Sequence, residues 1–206
     1  MPTLKLTYFD IDGGRGEVAR LALFLGEIPF EDHRISFQEF AQTKDGFLFG
    51  RVPILTVDGQ PVAECNGINR YVGKLAGLYP TDPWQAALCD EAMGAVEDIT
   101  EKTVATFGIK DIETMKEKRK ELSEGPITFY LERIAARLAK RGQYFADARI
   151  TVADLKVFLW IRHLKSGHLD FVPTDLPDRF APELVKHHDL IQNYPGIKTY
   201  YEARKA

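Results

Sequence analysis

Residues 4–25, LKLTYFDIDGGRGEVARLALFL, constrain the fold of this chain more than any other stretch. Leu4, Leu6 and Tyr8 alternate with Lys5 and Thr7, the period-two pattern of a strand, whereas Val18, Leu21, Ala22 and Leu25 recur at helical spacing. A strand therefore feeds a helix. The turn between them carries Asp10, Asp12 and paired glycines, which favour turns and tolerate unusual dihedrals. Tyr8 then stands at the carboxyl end of a strand beside a helix N-terminus, where unpaired N–H groups attract anions. A phenol there can donate a hydrogen bond to a bound anion, and Arg15 can hold the loop or the ligand. Two other readings compete. Tyr8 can be an amphipathic core residue with its hydroxyl satisfied. Gly14, Gly16 and Ala19 also match the G-x-G-x-x-G/A dinucleotide fingerprint. Against that fingerprint, the glycines do not follow the strand directly, and the acidic pair Glu31 and Asp32 opens the next strand instead of ending it.

The next segments extend the α/β pattern. Gly26 stops the first helix, and residues 30–35 begin a second strand, which a crossover of this length makes parallel to the first. Ser36 and Glu39 form a capping-box pattern for a short helix through Lys44, and residues 47–51 read as loop. Residues 54–57 and 61–63 flank the turn dipeptide Asp58-Gly59 as a hairpin, and residues 66–76 form a helix closed by Gly77. Residues 1–77 thus give β-α-β-α-β-β-α. The proline-marked segment 78–83, LYPTDP, is a linker, and strand patterns stop there. Helices are predicted at 83–106, 112–122, 126–140, 152–164, 182–188 and 197–204, so residues 84–206 form an all-α bundle domain.

Composition bounds the function. With 206 residues and 45% hydrophobic content the chain can bury a proper core, which excludes disordered and fibrous classes. A net charge of -3 gives no electrostatic case for nucleic acid or an acidic membrane, and the basic run at 116–120 is interleaved with Glu113, Glu117 and Glu121. Cys65 and Cys89 lack zinc-site or redox spacing, and the adjacent His187 and His188 do not share a helix face, so no metal is expected. Without an apolar leader or a membrane-length apolar run, a soluble cytoplasmic protein is expected.

Two further places could bind a ligand. Val52-Pro53 precedes the hairpin, where a cis proline would turn the Val52 backbone toward an extended peptide-like ligand. Glu64 and Cys65 sit where strand gives way to helix, a second anion site; charge complementarity for Glu64 and simple burial for Cys65 are the structural alternatives.

Taken together, Tyr8 with the GGRGE turn, RISFQEFAQTK (34–44), FGRVPIL (49–55), AECNGINRYV (63–72) and DARITVADL (147–155) resemble the cytosolic glutathione S-transferase family, most closely its sigma class, over nearly the whole chain. The resemblance implies a thioredoxin-like domain followed by a helical one, a homodimer, and glutathione as co-substrate. Tyr8 matches the tyrosine that hydrogen-bonds the glutathione sulfur and favours the thiolate. Arg15 matches an arginine near that sulfur, Lys44 a lysine reaching the glycyl carboxylate, and Val52 with Pro53 the residues pairing with the cysteinyl unit. Glu64 and Cys65 match the two positions holding the γ-glutamyl end. Asp98, or its neighbour Glu97, matches an acidic residue reaching that end across the dimer. Phe49 sits where some classes place an aromatic key for the partner subunit, and an ordinary loop anchor is the alternative. Phe9, Phe107 and Ile109 are candidates for lining an apolar second-substrate pocket between the domains, with core packing as the alternative.

This chain departs from the pattern in three ways. Phe40 stands where the class carries a glycine-end tryptophan, Cys65 replaces a serine, and the turn from Tyr8 to Arg15 is one residue longer. The implied activity is conjugation of the glutathione thiolate to small hydrophobic electrophiles. A prostaglandin D synthase-like isomerase and a non-catalytic crystallin-like protein are the alternatives.

Overall fold

A computed structural model of the chain describes residues 2–204, which fall into two compact units. The first comprises residues up to 80 together with those from 194 onward, and the second spans residues 81–193. The final helix therefore departs from the division expected at residues 77 and 84, because it belongs to the first unit.

In that unit, β1 (Leu4–Phe9), β2 (Glu31–Ile35), β3 (Ile54–Val57) and β4 (Gln60–Ala63) form one sheet in the order β2-β1-β3-β4. β1 and β2 are parallel, with Tyr8 opposite Arg34, while β3 runs antiparallel to both β1 and β4. The hairpin turn places Asp58 and Gly59 at positive φ, as a two-residue turn matched to strand twist requires. With α1 (Glu17–Leu25), α2 (Phe37–Thr43) and α3 (Cys65–Leu75), the order is the β-α-β-α-β-β-α of a thioredoxin-like fold. Helix α1 is buried without a break from Glu17 to Leu23, packed against α3 and against the last helix, α10 (Pro195–Ala203). Residues 44–46, which follow the short helix, and residues 48–50, within the segment expected as loop, form two short 3₁₀ turns.

The second unit is built of helices and their connections, with no strand among its described residues. It contains α4 (Pro83–Val104), α5 (Ile112–Leu122), α6 (Thr128–Ala139), α7 (Val152–Lys165), α8 (Leu176–Phe180) and α9 (Pro182–Gln192). The Asp82 carboxylate caps α4 by accepting from Gln85 N at 2.9 Å. Apolar on nearly every side, α7 is the central rod and packs against α4 and α9. The DARITVADL segment builds its capping box there. Asp154, fully buried, accepts from Thr151 N, Thr151 Oγ1 and Phe145 N within 3.0 Å, and His187 Nε2 lies 3.0 Å from the same carboxylate. His187 is thus a structural partner of a helix cap. No cluster of metal-ligating side chains occurs among the described residues.

Candidate functional site

Tyr8 ends β1 as the sequence pattern requires, with its side chain 6% exposed. Its hydroxyl oxygen accepts a hydrogen bond from the Arg15 backbone N–H at 3.0 Å. Among the described residues the phenol oxygen is held as an acceptor, and the hydroxyl proton is left to donate elsewhere. Burial raises the Tyr8 pKa, against the lowering effect of the Arg15 amide and of the charges on Arg15 and Arg20. Tyr8 is consequently a neutral hydrogen-bond donor at neutral pH.

The glycine turn fits around this phenol. Gly14 lies at φ +69°, and a Cβ there would come within 2.5 Å of the Tyr8 hydroxyl. A Cβ on Gly16 would stand 2.4 Å from Tyr8 Cγ. Both glycines are required by the close approach of backbone to ring, which accounts for the glycine pattern without a dinucleotide.

Arg20, a residue to which sequence reasoning gave no role, braces the turn. Its guanidinium is fully buried, donates to the carbonyls of Phe9 and Ile11 at 3.1 Å each, and pairs with Asp32 at 2.9 Å and with Glu17 at 3.2 Å. It also lies 5.6 Å from the centre of the Tyr8 ring. A signal for it existed: an arginine three residues after Glu17, within an otherwise apolar helix, needs buried partners.

The remaining site candidates of the first unit surround β3 and α3. The Val52-Pro53 bond is cis, and Val52 lies just before β3, outside the ladder that pairs Thr7 with Ile54. Glu64 precedes α3 at φ +85°, a conformation that costs a non-glycine residue of order 1–3 kcal/mol and collects at functional sites. Its side chain is exposed, whereas Cys65, the first residue of α3, is buried. The Cys65 thiol interacts electrostatically with Tyr8, so the two belong to one neighbourhood. The first-turn N–H groups of α3 have no acceptor within their own helix. Lys44 is exposed at the C-terminus of α2.

An aromatic row covers the other flank. Phe9 stacks on Phe37 with 4.5 Å between ring centres and meets Phe40 edge-on at 5.1 Å, and Phe40 stacks on Phe47 at 6.0 Å. Phe9 and Phe40 are therefore held by neighbouring rings. Phe49 is 79% exposed and sits at φ +57°.

In the second unit, Glu97 is committed to the buried Lys156 at 2.6 Å. Asp98 is exposed and accepts from the Tyr130 hydroxyl at 3.4 Å. That difference favours Asp98 over Glu97 as the residue available to a ligand. Phe107 is exposed, with the Arg119 guanidinium 5.7 Å from its ring centre, and Ile109 is half-buried. Tyr8 lines neither of two surface hollows: one of about 800 Å³ beside Phe24, Ile28 and Thr199 in the first unit, and one of about 330 Å³ beside Lys120, Phe171 and Arg179 in the second.

Comparison with known proteins gives this arrangement its family. Residues 4–74 match the glutathione S-transferase N-terminal domain, and residues 97–204 match the glutathione S-transferase C-terminal domain. The chain is 30% identical to glutathione S-transferase 1 of Ascaris suum, over 99% of this chain and 98% of that one. It is 29% identical to the hematopoietic prostaglandin D synthase of Gallus gallus, with the same coverage. The solved structure of prostaglandin synthase D of Nilaparvata lugens superposes with a TM-score of 0.87 at 28% identity, over 98% of each chain. With a four-stranded thioredoxin-like sheet, a helical second unit and both domain matches in sequence order, the chain belongs to the glutathione S-transferase family.

Proposed function

We propose that Tyr8 is the group through which this family member activates glutathione for transfer to small hydrophobic electrophiles. The observation that carries the reading is the Tyr8 hydroxyl, buried, neutral, and fixed by the Arg15 amide with its own proton available. Bound glutathione gives its thiol proton to solvent, and Tyr8 donates to the sulfur. The thiolate then attacks an electrophilic carbon, whose leaving group departs with the bonding electrons. Each unit by which the thiol pKa falls is worth about 1.4 kcal/mol. A neutral phenol suits this role, because only the protonated form can donate to the thiolate.

The rest of the site follows from position. The first-turn N–H groups of α3 at Cys65, with the Glu64 carboxylate beside them, receive the γ-glutamyl end; Val52 offers its backbone to the cysteinyl unit, and Lys44 offers charge to the glycyl carboxylate. Phe40 supplies an apolar face where a tryptophan N–H would have donated. Arg15 serves through its backbone N–H and its charge near the sulfur. Asp98 reaches the glutathione of a partner subunit in a homodimer of the sigma type, and Phe9, Phe107 and Ile109 contribute to the second-substrate pocket. A reducing, cytoplasmic setting fits the two buried cysteines, and no helix among the described residues is long and apolar enough to cross a membrane.

Tyr8→Phe removes the donor and leaves the ring. Loss of one such transition-state donor typically costs about 100-fold in kcat. The variant is expected to bind glutathione with nearly unchanged affinity while conjugating a model aryl halide at about one hundredth of the wild-type rate. Wild-type turnover in a folded Tyr8→Phe protein would refute the assignment. The two prostaglandin synthases among the relatives favour one second reading, a glutathione-dependent isomerase, and an assay with endoperoxide substrate separates it from the transferase.

A further inference from the structure

The last helix of the chain is tied to the turn that holds Tyr8. Asp12, in the middle of that turn, forms an ion pair with Arg204, the residue that follows α10. Arg204 Nη1 donates to the Tyr200 hydroxyl at 3.3 Å, and its guanidinium lies 5.5 Å from the centre of the Tyr200 ring. Tyr200 is buried, meets Phe24 of α1 edge-on at 5.2 Å, and interacts through its hydroxyl with Glu17. Glu17, fully buried, holds Arg20, and Arg20 returns to the turn through the carbonyls of Phe9 and Ile11. The path leaves the turn at Asp12 and comes back to it at Phe9 and Ile11.

This circuit is oddly placed for a stabilising device. The Asp12 and Arg204 side chains are 41% and 26% exposed, a setting in which an ion pair contributes little to folding. What it grips, however, is soft. The segment from Asp12 to Gly16 contains Gly13 at φ +146° and Gly14 at φ +69°, residues that resist deformation less than any others. The Arg15 amide that fixes the phenol oxygen belongs to the same segment. A tether with small energetic weight therefore has large geometric leverage, and a misplacement of about 1 Å at a reacting group can cost as much as 100-fold in rate.

We propose that Arg204 and Tyr200 are positioning residues for the Tyr8 hydroxyl: the C-terminal helix clamps the glycine turn from outside and sets the direction in which the phenol presents its proton. The proposal rests on the assignment of Tyr8 as the thiolate donor.

The test compares Arg204→Leu, Asp12→Asn, the double variant and Arg204→Lys in the full chain. Leucine keeps aliphatic bulk against the Tyr200 ring. Two quantities are read: the pKa of the bound glutathione thiol, from thiolate ultraviolet absorbance, and kcat and KM separately with a model aryl halide. Arg204→Leu is expected to raise the thiol pKa by about half a unit to one unit and to lower kcat about five- to tenfold, with KM for glutathione within about twofold. The double variant is expected to be no worse than the worse single one, since both cut the same link. Arg204→Lys restores most of the loss. Variants that keep the thiol pKa within about 0.3 unit of wild type, a twofold change in acidity constant, and kcat within about twofold overturn the proposal, as does a loss that follows only the folded fraction measured by thermal melting. Asp12→Asn decides the matter should Arg204→Leu fold poorly, because Asp12 lies on an exposed turn. Tyr8→Phe in the same series separates the two assignments. Full turnover there removes the role of Tyr8 itself, whereas an impaired Tyr8→Phe beside an unaffected Asp12→Asn removes only the clamp.

Discussion

At the scale of single residues, the phenol and its glycines act as one device. Gly16 has an ordinary helical conformation, φ -80°, so nothing in its backbone demands glycine; the demand comes from the Tyr8 ring 2.4 Å from where a Cβ would stand. Gly16→Ala must therefore push ring or turn aside. Overpacking of this kind costs about 1–3 kcal/mol. We expect that loss in urea denaturation together with a fall of about tenfold in kcat, and an alanine variant as stable and active as wild type would contradict the packing described. This contact marks a limit of legibility. Tyr8 was readable as the end of an amphipathic strand and the glycines as a turn, but a glycine required by a ring across the turn has the same letter as one required by its dihedrals. The dinucleotide fingerprint arose from that ambiguity. Arg20 escaped for a related reason, since a helix position reads as apolar or polar, and a guanidinium buried among two carboxylates and two carbonyls is neither.

At the scale of elements, periodicity located the long pieces and failed on the short, bent ones. The four strands and helices α1 to α7 lie within a few residues of their expected spans, because each carries a buried stripe or an alternating face. Helix α8 was missed because five residues carry no period. Helices α5 and α6 occur where they were expected, but the residues between them are not a plain break: Ser123–Ile127 form a π-helical turn that takes in Pro126, the residue expected to open α6. Pro126 has no N–H for a regular bond, the turn widens by one residue, and the Thr128 hydroxyl bonds the Ser123 carbonyl at 2.7 Å. Between elements, charge adds to packing. Glu91 on α4 accepts two hydrogen bonds from Arg137 at 2.7 and 2.6 Å and one from Arg141 at 2.9 Å. Those bonds, Arg137 first, hold its pKa below the usual 4.5. A carboxylate with a lowered folded-state pKa contributes stability above its unfolded pKa and loses it as pH falls through the folded one. Glu91→Gln should then reduce stability at about pH 7 by less than about 1 kcal/mol, given the 44% exposure of the side chain, and the difference from wild type should vanish near pH 3. A difference that persists undiminished in acid would show that the ion pairs are not its source.

At the scale of the whole molecule, the sequence placed the change from α/β to helical at the proline-marked linker, and the described units divide close to it. It did not reveal that the chain returns to its first unit at residue 194, since a nine-residue amphipathic helix carries no record of which core it covers. What α10 covers is α1, and that return is what lets the last residues reach the glycine turn. Assembly is the level above. Phe49 is 79% exposed at φ +57°, a costly display for a large apolar ring on a strained backbone unless a surface receives it. A second copy of the chain is the proposed receiver, with each Phe49 entering its partner. An aromatic anchor seated in a pocket commonly accounts for 2 kcal/mol or more of an interface, and about 1.4 kcal/mol corresponds to each tenfold in affinity. Phe49→Ala is accordingly expected to raise the dimer dissociation constant at least about 30-fold in sedimentation equilibrium, while the thermal melt of the separated subunit stays that of a folded protein. The same variant should bind glutathione more weakly, since Asp98 would then lack a partner site to reach. A wild-type dimer constant for Phe49→Ala would leave the ring as a loop anchor, and a wild-type protein that sediments as a monomer would remove Asp98 from the glutathione site along with it.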